Sequence, residues 1–152
     1  FGVAKLAKDL IVAAAEAFKE ADAGILCAAV ADFTPEQVAA QKIKREKDDL
    51  VLRLKPTCDI AASLGKEKRP GQVLVGFALE TCDEVSHAQD KLARKNFDFI
   101  VLNSLNDKGA GFRCDTNKIT IIDRSEAVSY PLKSKKEVAE DIVDKLSSLF
   151  HS

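Results

Sequence analysis

Three short apolar runs constrain the fold most: Ala23-Gly24-Ile25-Leu26-Cys27-Ala28-Ala29-Val30-Ala31, Gln72-Val73-Leu74-Val75-Gly76-Phe77-Ala78 and Phe97-Asp98-Phe99-Ile100-Val101-Leu102. Runs of this length and composition read as strands buried on both faces, the kind found inside parallel sheets. The segments between them have helical character. Residues 4 to 21 repeat Leu6, Leu10, Ala14, Ala17 and Phe18 at helical spacing without Gly or Pro. A short helix is predicted from Asp59 to Leu64, ended by Gly65, and another from Asp83, as its cap, to about Asn96. Ser134 and Glu137 form a capping box, and Val138, Ile142, Leu146 and Leu149 give the last helix its apolar stripe. Strands alternating with amphipathic helices imply an α/β layer fold with a mostly parallel sheet.

Two hairpins interrupt the pattern. Lys42-Ile43-Lys44-Arg45-Glu46 and Leu50-Val51-Leu52-Arg53-Leu54 alternate on either side of an Asp-rich turn and predict an antiparallel pair. Lys118 to Asp123 and Ala127 to Leu132 predict a second hairpin. Residues 103 to 117, rich in Asn, Asp and Gly, read as a long loop.

Composition limits the function classes. The length of 152 residues suits one domain, residues 1–152. Lys and Arg number 23 against 24 Asp and Glu, a net charge of −1, which gives no general attraction for nucleic acid or an anionic membrane. No segment approaches the roughly 20 apolar residues needed to span a bilayer, and no signal peptide is visible at the start. The four cysteines form no CxxC pair, so the expectation is reduced thiols in a cytoplasmic protein, without a zinc site. The chain has no methionine and starts at Phe1, so it reads as part of something longer.

In open parallel sheets, ligands bind beyond the carboxyl ends of the strands. Candidate residues are therefore those that follow each run. Asp32 reads either as a turn former or as a carboxylate facing a ligand. Lys42, Lys44 and Arg45 read as a solvated edge strand or as a cationic flap over a phosphate or developing anion. Lys91 and Lys95, four apart, share a helical face with the wet side that Glu84 and His87 also mark; if that face lines the cleft, the two ammonium groups suit polyphosphate. Phe77 reads as core or, beside Gly76, as a surface against a base. No P-loop, GxGxxG or nucleophile elbow is present, and Lys108-Gly109-Ala110-Gly111-Phe112 does not open a helix.

One ordered set of motifs goes further. Ala28-Ala29-Val30-Ala31-Asp32-Phe33, Lys42-Ile43-Lys44-Arg45, Asp59-Ile60, Val75-Gly76-Phe77-Ala78-Leu79-Glu80-Thr81, Lys91 with Lys95, and Phe99-Ile100-Val101-Leu102-Asn103 closely resemble phosphopantothenoylcysteine synthetase. That enzyme is usually the C-terminal half of a bifunctional coenzyme A biosynthesis protein. The likeness runs from about residue 16 to about residue 150. The resemblance implies a ligase that joins 4′-phosphopantothenate to L-cysteine. It implies CTP and a magnesium ion (Mg2+), an acyl-cytidylate intermediate, and displacement of CMP by cysteine. It also implies a Rossmann-like three-layer fold, an antiparallel hairpin flap over residues 33–55 and a homodimer. FMN is implied only if a decarboxylase domain is fused upstream.

Residue by residue, the resemblance assigns Asp32 to the nucleotide, with a magnesium contact also open to it. Cys27 and Ala28 become backbone positions around the base. Lys42 becomes the first lysine of a KxKK flap motif and the catalytic residue that converts the acyl-cytidylate. Cys58, Asp59 and Ile60 correspond to a Pro-Asp-Ile nucleotide-binding turn, with Cys58 in place of proline. Phe77 belongs to a GFA(A/L)ET stretch, Lys91 and Lys95 hold the triphosphate, and Asn103 is an extra polar contact. The Gly-rich strand-turn-helix and Asn-Ser-Gly segment of the family are not found, which leaves the phosphopantothenate side and the first sheet strand outside this sequence. Two other readings remain: a non-catalytic nucleotide-binding fragment, and a Rossmann-type dinucleotide-binding module.

Overall fold

A computed structural model describes residues 7–44, 49–80, 83–104 and 115–151. In chain order the elements are α1 (Ala7–Glu20), β1 (Ala23–Leu26), β2 (Phe33–Pro35), β3 (Leu54–Pro56), α2 (Ile60–Glu67), β4 (Val73–Glu80), α3 (Glu84–Arg94), β5 (Phe99–Ser104), β6 (Thr116–Asn117), β7 (Ile119–Asp123), β8 (Ala127–Ser129), β9 (Lys133–Ser134) and α4 (Lys135–Ser148). The central sheet has the order β1-β4-β5-β7-β8. β1, β4 and β5 are parallel neighbours, while β7 runs against both β5 and β8.

Alternation along the strands makes the three layers. Leu74, Ala78, Ile100, Leu102 and Ile122 face one way and pack with Phe18 of α1, Ile60 and Leu64 of α2, and Ala88 and Leu92 of α3. Val73, Val75, Phe99, Val101, Ile119 and Ile121 face the other way, onto Val138 and Ile142 of α4. Residues two apart in a strand share a face, so each strand feeds two separate cores. The α/β, three-layer expectation therefore holds. So does the capping box: Ser134 N–H donates to Glu137 Oε2 at 2.9 Å, and Glu137 N–H donates to Ser134 Oγ at 3.3 Å.

Several expected boundaries move, each for a physical reason. β1 stops at Leu26, not Ala31, and is a half-buried edge strand with Ile25 41% exposed. Beyond it the backbone bonds to the β2–β3 ribbon: Thr57 Oγ donates to the Ala31 carbonyl at 2.6 Å and Thr57 N–H to the Asp32 carbonyl at 2.9 Å. The first hairpin pairs Phe33–Pro35 with Leu54–Pro56, and residues 42–44 and 49–53 carry no ladder. Ile43 is 54% exposed and Val51 82% exposed, so the period-2 pattern there has no surface on which to bury one face. Arg45, in the flap motif, lies outside the described residues.

α2 runs through Gly65 instead of ending at it. A Cβ at Gly65 would stand 1.9 Å from the Lys95 carbonyl oxygen, so this glycine serves close packing inside the helix. Asp83 occupies the cap position of α3 with left-handed backbone (φ 45°) and makes no side-chain capping bond. β8 ends at Ser129, short of Leu132. Residues 105–114, most of the expected long loop, lie outside the described residues, as do residues 1–6, Thr81, Cys82 and the Gly-rich stretch at Gly109.

Candidate functional site

β1 and β4 run parallel, with Leu26 opposite Gly76, and β4 extends on to Glu80. A cleft of about 610 Å3 opens beyond the carboxyl end of β1 and beside that of β4. Cys27, Ala28 and Asp32 border it from the segment after β1, and Cys58, Asp59 and Ile60 from the start of α2. Phe77 comes from β4, and Lys91 and Lys95 from α3 and its end. Nine of the eleven residues to which the resemblance assigns a role thus meet in one place, although they come from four segments of the chain. Lys42 does not: it is exposed on the arm beyond β2 and is not among the lining residues. Asn103 is also elsewhere, and its side-chain oxygen accepts from Asn117 Nδ2 at 2.9 Å.

The two lysines are already paired. Lys91 Nζ donates to Glu80 Oε1, and Lys95 Nζ lies 3.0 Å from Asp59 Oδ2. The other oxygen of Asp59 accepts from Ala62 N–H at 3.0 Å and caps α2. Partial burial works against ionisation of Asp59, but the Ala62 amide and the Lys95 ammonium outweigh it and hold the carboxyl below its ordinary range. Lys95 is delivered there by the close approach of α2 and α3 at Gly65, where Asn96 Nδ2 also donates to the Gly65 carbonyl at 2.9 Å. Asn96, at φ 53°, turns the chain just past α3. Cys27 and Cys58 are exposed free thiols, with Cys58 Sγ 3.6 Å from Ser63 Oγ.

Gly76 has a different use from the one its place beside Phe77 suggested. A Cβ there would meet the ring of Phe97 at 2.5 Å, so the glycine makes room for Phe97, itself a wall of the cleft. Sequence reasoning also missed Thr57, which ties the ribbon to the segment after β1, and the pairing of Glu80 with Lys91. Neither leaves a local signal, because the partners are 26 and 11 residues apart.

Asp32 has an exposed carboxylate in the cleft with no side-chain partner among the described residues. No group of three or more His, Cys, Asp or Glu side chains able to hold a metal occurs among the described residues. A single carboxylate does fit Mg2+, which is usually held by one or two carboxylates together with ligand phosphates. No described helix is long and apolar enough to cross a membrane.

The chain is similar to known proteins along most of its length. Residues 3–149 match the family model described as the DNA/pantothenate metabolism flavoprotein C-terminal domain. The coenzyme A biosynthesis bifunctional protein CoaBC of Bacillus subtilis (strain 168) is 42% identical over 144 residues, which are 94% of this chain and 35% of that protein. A protein from an unknown prokaryotic organism, named cysteine/cysteine sulfinic acid decarboxylase, is 56% identical over 146 residues, 95% of this chain and 41% of that one. The chain thus spans about two fifths or less of the length of these relatives. A crystal structure of the C-terminal domain of CoaBC superposes with a TM-score of 0.76 at 32% identity, covering 95% of this chain and 63% of that one. With the family model matched over nearly its whole length, the chain belongs to the DNA/pantothenate metabolism flavoprotein C-terminal domain family.

Proposed function

We propose that this chain is the synthetase part of a protein that joins 4′-phosphopantothenate to L-cysteine in coenzyme A biosynthesis, using CTP through an acyl-cytidylate. The observation that carries the reading is the convergence of Cys27, Ala28, Asp32, Cys58, Asp59, Ile60, Phe77, Lys91 and Lys95 on one cleft at the strand carboxyl ends. The similarity to CoaBC proteins supports it.

In this reading the base and ribose lie along Cys27, Ala28 and Phe77, and the phosphates face Lys91 and Lys95. Asp32 would hold Mg2+, whose charge offsets that of the phosphates. The lysines are paired with carboxylates, so the ligand's phosphates share or displace those contacts. Lys42 acts from the arm beyond β2: once the arm is brought over the bound acyl-cytidylate, its ammonium neutralises the oxyanion that forms when the cysteine amine attacks the carbonyl. The active form is a cytoplasmic homodimer, and FMN belongs only to a decarboxylase domain fused upstream.

The test is release of pyrophosphate and CMP by the protein when 4′-phosphopantothenate, cysteine and CTP are supplied together. Lys42→Gln is expected to slow turnover by about 100-fold or more, in line with loss of one oxyanion donor. No CTP consumption by a full-length protein that carries this chain unaltered, or full activity of its Lys42→Gln variant, overturns the reading. Release of CO2 from cysteine without use of CTP would instead favour the activity named for the 56%-identical relative.

A further inference from the structure

Glu80 ends β4 with a carboxylate that is only 16% exposed. Its Oε1 accepts from Lys91 Nζ, and its Oε2 lies 3.7 Å from Nδ1 of His87. His87 and Lys91 are one turn apart on α3, so both reach the same carboxylate. Lys91 lines the cleft, whereas Glu80 and His87 do not. The cleft cation is thus neutralised from behind by a carboxylate with a second, titratable neighbour.

Among the described residues, no ion pair of Glu80 other than those with Lys91 and His87 is found. On α3, Asp83 and Glu84 stand about a turn before His87, and Asp90 lies beside Lys91 in the chain. From β5 the register partner of Glu80 is the uncharged Ser104. β1 stops opposite Gly76 and brings nothing to this end. The carboxylate of β7, Asp123, lies at the far end of the sheet opposite Phe99 and is bonded to Lys145. Among the described residues, Lys91 is therefore the cationic partner of Glu80, and His87 becomes a second one only when its imidazole carries a proton.

We propose that Glu80 is a positioning residue that holds the Lys91 ammonium at the cleft wall and competes for it with the anionic group of the ligand, and that protonation of His87 relaxes this competition. The proposal deepens the reading of the cleft as a triphosphate site and rests on it. A phosphate that reaches Lys91 also meets the Glu80 charge a few ångströms behind. In a partly buried setting that repulsion corresponds to about three- to tenfold in affinity. Protonated His87 draws the carboxylate toward itself and leaves Lys91 freer.

The variant Glu80→Gln keeps an acceptor for Lys91 while removing the charge, so it separates competition from support. Binding of inorganic tripolyphosphate is measured by calorimetry at about pH 8 and about pH 5.5. Glu80→Gln is expected to bind about three- to tenfold more tightly than the unaltered protein at the higher pH, with a smaller difference at the lower. His87→Gln, on an exposed side chain that should leave folding intact, is expected to lose the extra low-pH gain relative to the unaltered protein. Comparing variants at one pH cancels the ligand's own titration. Weaker or unchanged binding by Glu80→Gln, a His87→Gln profile that superimposes on the unaltered one, or no binding of tripolyphosphate to any of them overturns the proposal. If Glu80→Gln does not fold, the His87→Gln profile decides alone. CTP is titrated in parallel: tripolyphosphate binding that responds to Glu80 without any CTP binding would sink the nucleotide reading and leave the competition intact.

Discussion

The ring of Phe97 fills the space beside Gly76, where a Cβ would come within 2.5 Å of it. Gly76 is buried in β4, an inner strand of the sheet, and Phe97 is held by its own N–H donating to the Leu92 carbonyl at 3.0 Å. Gly76→Ala must therefore displace a ring that also walls the cleft. The expected cost is about 1–3 kcal/mol, the usual range for overpacking a core, read from urea unfolding. Adding Phe97→Leu to Gly76→Ala should recover part of the loss, and additivity of the two changes would show that the ring is not the obstacle.

Asp59 joins two functions in one carboxylate, capping α2 through Ala62 and pairing with Lys95. Asp59→Ala should lower stability by about 1 kcal/mol through the lost cap. The ion pair adds little, since the Asp59 side chain is half exposed. Asp59→Asn should retain most of the stability, because asparagine caps as well as aspartate. Equal losses for the two variants in thermal unfolding would show that charge, and not capping, dominates.

Asp123 supplies an acid-sensitive contribution to stability. Burial opposes its ionisation, but Lys145 at 2.6 Å, with the Ser125 hydroxyl and the amides of Ser125 and Glu126, holds the carboxyl well below its ordinary range. A group whose folded value is depressed stabilises the fold above its unfolded value of about 3.9 and loses that contribution as pH falls further. Asp123→Asn should thus be less stable than the unaltered protein near neutral pH, with the gap narrowing below about pH 4. A gap that stays constant down to about pH 2.5 would contradict the assignment.

Much of the scaffold was legible because its signals are local. The apolar runs at Val73 and Phe99, the stripe on α4 and the Ser134–Glu137 box each depend on residues within a few positions of one another. The rule that ligands gather at strand carboxyl ends points to the end of the sheet where the cleft opens, and the motif resemblance named nine residues that share the cleft. The misplaced boundaries are those where a distant segment decides. Thr57 takes the backbone of Ala31 and Asp32 out of the sheet, and the Lys95 carbonyl keeps Gly65 inside α2.

By itself, then, the sequence determined the alternation of strands and helices, the Ser134–Glu137 capping box, and nine of the residues that border the cleft. Only the tertiary structure decided how those side chains are charged against one another: Lys91 with Glu80 and His87, Lys95 with Asp59, Asp32 unpaired among the described residues, and Lys42 outside the cleft on an arm without a ladder. The physical reason is range. Periodicity and capping act within a turn or two of the backbone, whereas an ion pair depends on the approach of whole elements, set here by a glycine at Gly65 and a ring at Phe97.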